Sequence, residues 1–261
     1  MTHSPLAALK PAREGAMTDY NMKIFAGVFF HLAVFKWLSS PLLKKVSPVF
    51  ATLPPNQQVA LRKRVMSFFN AVATGGCGLY VLLWPGGVLP NQIWFDSAIV
   101  RHAGCITLSY LLAGLLLMAV YPSVIKDKLM VVHHFNAIPA IYICTAYPFV
   151  PYYANLWALM ELSSPFLHIR MISISLGQKS SLLYKLSSVL LLVTFFSCRV
   201  APIPLWFQLA KPMANRELYN DTPIILLTSI FIMTPMAYLF NIYWFSKLCR
   251  GAYRLLSHHQ E

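Results

Sequence analysis

Apolar residues run along this chain in long unbroken blocks, and most of the polar residues gather between them. An α-helix needs ~20 largely apolar residues to cross the hydrocarbon of a bilayer. About seven blocks meet that criterion, at roughly 24–40, 66–89, 99–121, 129–147, 151–170, 183–204 and 223–246. The connections differ in kind. PLLKKVSPVFATLPPNQQVALRKR is long, basic and proline-rich, YPSVIKDK is short, and PLWFQLAKPMANRELYND is flanked by proline. YPFVPYY is a tight hairpin whose tyrosines suit the membrane–water interface, and it makes the two blocks it joins antiparallel neighbours. No internal repeat and no separate soluble domain is visible. The pattern predicts an all-α membrane protein, a polytopic bundle of about seven transmembrane helices. It divides into a polar N-terminal segment 1–23, a first span with its basic loop 24–60, the main membrane domain 61–250, and a polar tail 251–261.

Composition sharpens this reading. The chain is 57% hydrophobic and only 11% charged, where soluble domains carry roughly 25% charged residues. Lys and Arg number 21 against 8 Asp and Glu, a formal charge of +13. On a soluble protein that excess would suggest nucleic acid. Here the charges lie between apolar runs, so they set topology and attract anionic lipid, and no nucleic-acid partner is expected. One side collects Lys44, Lys45, Arg62, Lys63, Arg64, Lys126, Lys128, Arg170, Lys179, Lys185, Lys247, Arg250 and Arg254. The other collects Lys10, Arg13, Lys23, Arg101, Lys211 and Arg216. This asymmetry places the C-terminus in the cytoplasm. The first apolar run lacks a small-residue cleavage site and reads as a signal anchor. The sequon Asn220-Asp221-Thr222 falls on the opposite side, against the last span. Cys77, Cys105, Cys144, Cys198 and Cys249 lie within or beside apolar runs without a CxxC pattern, and read as small core residues.

Polar groups inside hydrocarbon cost free energy unless they find partners, so ionisable residues in spans mark candidate sites. His133 and His134 enter the fourth span about one turn in. An imidazole both accepts and donates protons near neutral pH, which suits general-base work or headgroup binding. Adjacent helical residues point ~100° apart, so two such rings converge poorly on one metal, and no metal site is expected. Glu161 lies mid-span in NLWALMELSSPFLHIR and must be protonated or paired. Pro165 frees the carbonyl of Glu161, which Ser163 or Ser164 would help to satisfy. Glu161, Ser164 and His168 share one helical face, with Arg170 roughly opposite. His168 reaches the depth of His133 and His134, and Glu161 lies one to two turns deeper. These four are expected to line one cavity. Asn136 and Asn155 read as hydrogen-bonding contacts between helices. Arg199 falls near the far end of the sixth span, expected too distant to join the histidines. There it would snorkel to the headgroups or bind a lipid phosphate. GGCG at 75–78 and LAG at 112–114 read as close-packing positions rather than a nucleotide loop.

The order of these features resembles the TLC-domain family, the membrane domain shared by ceramide synthases, translocation-associated membrane proteins and a neuronal ceroid lipofuscinosis protein. VVHHFNAIPAIY and ANLWALMELSSPFLHIRM carry most of the likeness, which extends over residues 61–250. They look most like the small family members thought to act in lipid homeostasis. The resemblance implies a lipid-linked role in the endoplasmic reticulum or another intracellular membrane. Departures are visible. Ceramide synthases carry a His-Asp…Ser-Asp constellation where this chain reads Met160-Glu161-Leu162-Ser163-Ser164. Gly114 stands where the third span often carries Asp, and Asn70 where the small members usually carry His.

Two main functional expectations follow. One is a protein of membrane lipid homeostasis that binds or regulates lipids through His133, His134, Glu161, Ser164, His168 and Arg199. The other is a lipid acyltransferase of sphingolipid type, with acyl-CoA as substrate and His133 or His134 as catalytic base. A membrane cargo receptor or scaffold is a third possibility. No cofactor is expected, membrane lipids are the expected partners, and the oligomeric state stays open.

Overall fold

The computed structural model describes residues 14–122, 128–213, 220 and 222–257. Lys10, Arg13, Lys126, Arg216 and Asp221 of the sequon lie outside them. The helices are α1 (Glu14–Ala33), α2 (Ser39–Val46), α3 (Pro55–Leu83), α4 (Ala98–Val120) and α5 (Lys128–Ala146). They continue with α6 (Pro151–Met160), α7 (Ser164–Ser175), α8 (Leu182–Phe195) and α9 (Ile203–Met213). The last are α10 (Ile224–Thr228) and α11 (Thr234–Ser257). Among the described residues no strand forms beyond an isolated bridge between Trp94 and Phe149.

Among the described residues six helical stretches are long and apolar enough to cross a membrane: Thr18–Val46, Pro55–Leu83, Ala98–Val120, Lys128–Ala146, Leu182–Leu209 and Ile224–Tyr253. The remaining apolar block is helical too, but it is two rods, α6 and α7, joined by a 3-10 turn at Glu161–Ser163. Proline explains the joint. Pro165 has no N–H to close the helical bond to the Glu161 carbonyl, so the Ser164 N–H takes that carbonyl in a tighter turn. Phe25, Phe29 and Phe30 on α1 and Val189 and Val193 on α8 are exposed. In a bilayer such side chains face lipid.

Helix α3 is the centre post, packing against α4, α6 and α7. Its glycines permit this. A Cβ on Gly75 would lie 3.0 Å from the Leu162 nitrogen, and one on Gly78 would lie 2.8 Å from the Leu159 nitrogen. The backbone of α3 therefore touches the backbone of the broken helix beside Glu161. Asn155 Nδ2 donates to the Gly78 carbonyl at 3.1 Å, which fixes the register of α6 on α3. GGCG is a packing motif, as expected.

Among the described residues three π turns interrupt the spans, at Val34–Leu38, Phe196–Val200 and Ser229–Met233. A wide turn disturbs the backbone ladder, and side chains of other helices bind carbonyls at two of these turns. Arg62 donates through Nε and Nη2 to the Phe35 carbonyl at 3.1 and 3.0 Å. Trp206 reaches the Ile230 carbonyl at 3.1 Å, and Asn136 reaches that of Met233 at 3.0 Å. Asn136 and Asn155 both act between helices, as their setting in apolar runs implied.

One end of the bundle is closed by the loop between α3 and α4. Val88 of that loop is buried with Val81 and Val100, and Phe95 and Ala154 pack on them. The Val150 N–H donates to the Ile93 carbonyl at 2.7 Å, and the Phe95 N–H donates to that of Pro148 at 3.0 Å. These bonds hold the α5–α6 hairpin, where Val150 adopts φ 44°. That left-handed conformation is unfavourable for a β-branched residue, and the tight entry into α6 requires it.

Candidate functional site

A cavity of about 520 Å³ runs between α3, α4, α5, the α6–α7 rod, α8 and α11. It has two ends of different character. At one end it is lined by Arg64, Arg170 and Lys247. At the other it is lined by Val100, Ala103, Ala154 and Trp157, beneath the closing loop. His133, His134, Glu161, Ser164, His168 and Arg199 line the stretch between. All six sequence-selected residues therefore meet in one space.

Helix α5 brings the two histidines to the cavity from different directions. The Nδ1 of His134 lies 2.8 Å from the Met130 carbonyl. A carbonyl only accepts, so Nδ1 carries the proton and Nε2 is left with its lone pair. That Nε2 is buried without a hydrogen-bond partner. It faces Gly114 of α4, where a Cβ would lie 3.3 Å away. The small residue at 114 thus leaves this nitrogen bare. His133 packs its ring edge-on against Trp244 and Phe240 of α11, at centroid distances of 5.3 and 6.0 Å. Its Nδ1 and the Nδ1 of His168 are likewise buried without partners.

Arg199 overturns one expectation. It does not reach away to the headgroups. It lies in the π turn Phe196–Val200, with its side chain 11% exposed, and closes on the broken helix. Nε donates to Ser163 Oγ at 2.8 Å and Nη2 to Ser164 Oγ at 3.0 Å. Nη1 donates to Asn241 Oδ1 at 3.3 Å, and Nη2 reaches Glu161 Oε1 at 3.5 Å. The carboxylate that had to be protonated or paired has a partner, and the two are the centre of the polar set. The helix register alone did not reveal this, because the pairing depends on how α8 crosses α7.

Arg170 is a second correction. Straight-helix geometry puts it opposite Glu161, yet it lines the same cavity and donates to Ser188 at 3.2 Å. A 3-10 turn winds at 3.0 residues per turn instead of 3.6, so three such residues rotate the helix beyond them by about 60°. Sequence reasoning gave Ser163 only a role in satisfying the backbone, and it left Asn241 and Arg64 out of the site. Arg64 lines the cavity. The RKR cluster at 62–64 was the available signal, and it read only as topogenic charge. Among the described residues no group of three or more His, Cys, Asp or Glu is placed to hold a metal ion.

The stretch of sequence that builds most of this site falls within a known family. The family model described as TLC domain matches residues 61–250, and the chain belongs to that family. It is 30% identical over 232 residues to TLC domain-containing protein 4-B of Xenopus laevis, covering 87% of this chain and 88% of that protein. It is 26% identical to TLC domain-containing protein 4 of Homo sapiens, covering 92% of this chain and 94% of that one. It is 27% identical to TLC domain-containing protein 4-B of Danio rerio, over 90% and 89% of the two chains.

Proposed function

We propose that this multi-pass membrane protein acts in membrane lipid homeostasis by binding a lipid in the cavity centred on Arg199 and Glu161. The lipid's polar group lies among Arg64, Arg170 and the histidines, and its chain runs towards Ala154. One observation carries the reading. A space of about 520 Å³ inside a membrane bundle passes from a basic end, across a neutralised Glu161–Arg199 pair, to an apolar end. That volume falls in the ~300–1,000 Å³ range typical of pockets for one small ligand. Three unpartnered imidazole nitrogens line it or its wall, and unpaired buried polar groups are costly unless something completes them.

The basic residues on the Arg64 side support a reading in which that end, with the C-terminus, faces the cytoplasm. The lipid-linked role that the family resemblance implies supports the endoplasmic reticulum or another intracellular membrane. The test is lipid binding by the full chain in nanodiscs. Wild type binds a lipid saturably, and Glu161→Gln, which leaves the Arg199 charge unneutralised, binds more weakly. Equal binding by both removes Glu161 from the site.

A second reading is favoured by the histidines. With acyl-CoA at the basic end, a bare imidazole nitrogen would take the proton from a lipid hydroxyl or amine as that atom attacks the thioester carbonyl. The thiolate would leave as coenzyme A, protonated by the same ring. Incubation with acyl-CoA and a panel of long-chain bases and lysolipids decides it. An acylated product from wild type but not from the His133→Ala/His134→Ala double variant supports the enzyme. No product from wild type leaves lipid binding as the activity.

A further inference from the structure

Among the residues of the α6–α7 rod that line the cavity, Ala154, Trp157, Ala158, Glu161, Ser164 and His168 form one row along it. The row is polar at its His168 end and apolar at its Ala154 end. From His168 to Ala154 is about 21 Å at 1.5 Å per residue, and from Glu161 to Ala154 about 10 Å. The apolar end is a floor and not a second mouth. Ala154 and Val100, which line the cavity, also pack against the buried Val81 and Val88 of the closing loop. Behind Val88, the loop is anchored to the α5–α6 hairpin through Ile93 and Phe95.

Resting on the lipid-binding reading above, we infer that this floor measures the length of a single hydrocarbon chain, with Ala154 and Trp157 as the specificity-determining residues. Inside a bilayer a lipid chain gains little by leaving other lipid chains, because its surroundings are equally apolar. Affinity therefore does not simply climb with each methylene. It is decided by fit. A chain shorter than the limb leaves a void with lost contacts, and a longer one must buckle against Val100 and Ala154. The result is an optimum at one length. Ala154 contributes only a methyl group to the floor, so a larger side chain there raises it. Trp157, one turn nearer Glu161, narrows the limb, and its removal opens space.

The cavity volume favours one chain over two, and the basic end favours an anionic polar group. Two ligand series share that chemistry: lysophosphatidates and acyl-coenzyme A esters, each with saturated chains of increasing length. Both series are titrated into the full-length protein in nanodiscs and read by competition against a photoreactive lysophosphatidate. Wild type shows a maximum at one chain length in whichever series it binds, and the series that binds identifies the polar group. Ala154→Phe moves the maximum to shorter chains, with about a tenfold loss for the wild-type optimum, as overpacking by a ring implies. Trp157→Ala moves it to longer chains. These opposite shifts separate a length gauge from general damage, which would weaken all lengths alike. Saturable binding by wild type with the maximum unmoved in both variants overturns the gauge while leaving the lipid site intact. Failure of wild type to bind either series overturns the lipid-binding reading itself.

Discussion

The Nε of Arg199 lies 2.8 Å from the Oγ of Ser163, across the gap between the π turn of one span and the 3-10 turn of another. Two local distortions thus meet at one contact. Each turn alone would be a weak point in a transmembrane helix, since it leaves backbone groups poorly paired. Together they bring a guanidinium to Ser163, Ser164, Asn241 and Glu161 in the wall of the cavity.

Breaking this arrangement from either side is expected to be costly. Arg199→Ala strands Glu161 as an unpaired acid, and Glu161→Ala strands the guanidinium. Each single variant should lose about 2–3 kcal/mol, near the lower end for buried pairs because Glu161 keeps 24% of its side-chain surface. The double variant should lose less than the sum of the two, with a coupling of roughly 1–3 kcal/mol. Thermal unfolding of all four proteins in one detergent measures it. Strict additivity would mean that the pair does not interact.

The α3 glycines make a paired prediction. Gly78→Ala drives a methyl to 2.8 Å from the Leu159 backbone, where neither rod can give without moving. A loss of about 1–3 kcal/mol is expected. Gly76→Ala, two residues away, meets nothing within 4 Å. It should be neutral or gain about 0.5–1 kcal/mol from reduced chain entropy. The two Tm shifts should therefore differ in size and in sign.

How much of this could be read from the chain has a physical pattern. The apolar blocks declare the spans, because hydrocarbon tolerates so few alternatives. Glu161, Ser164 and His168 could be placed on one face, because the i, i+3/i+4, i+7 spacing survives the joint well enough. Arg170 could not, since Pro165 tightens the turn ahead of it and rotates its register. Arg199 was also misplaced. Its depth depends on a π turn and on the crossing of α8 over α7, and neither leaves a mark in apolar periodicity. The hydrogen-bonding roles of Asn136 and Asn155 were legible, because an amide in an apolar run must find a partner.

Those amides should contribute modestly. Asn136→Ala removes the bond to the carbonyl of Met233, the last residue of a π turn. Interhelical hydrogen bonds in membranes average ~0.6 kcal/mol, so a loss of about that size is expected. A loss several times larger in a denaturation series would show that Asn136 holds the π turn itself.

His134 yields a chemical prediction about its proton. The bond to the Met130 carbonyl requires hydrogen on Nδ1. Asn at this position offers a donor near the place of Nδ1, whereas Gln offers one near Nε2. His134→Asn should therefore retain more stability than His134→Gln, and nitrogen chemical shifts of the labelled ring should report the Nδ1–H tautomer. An Nε2–H tautomer would refute the assignment.

Occupation of the cavity by a lipid is the proposal on which the others depend, and native mass spectrometry of the full chain released from nanodiscs reads it without an assumed ligand. Ala237 of α11 lines the cavity without belonging to its polar set, so Ala237→Trp fills space while leaving Arg199, Glu161 and the histidines untouched. Wild type should be released with one lipid bound, and the filled variant should be released without it. A bare wild-type protein, or a lipid held equally by both, would refute a lipid site in this cavity.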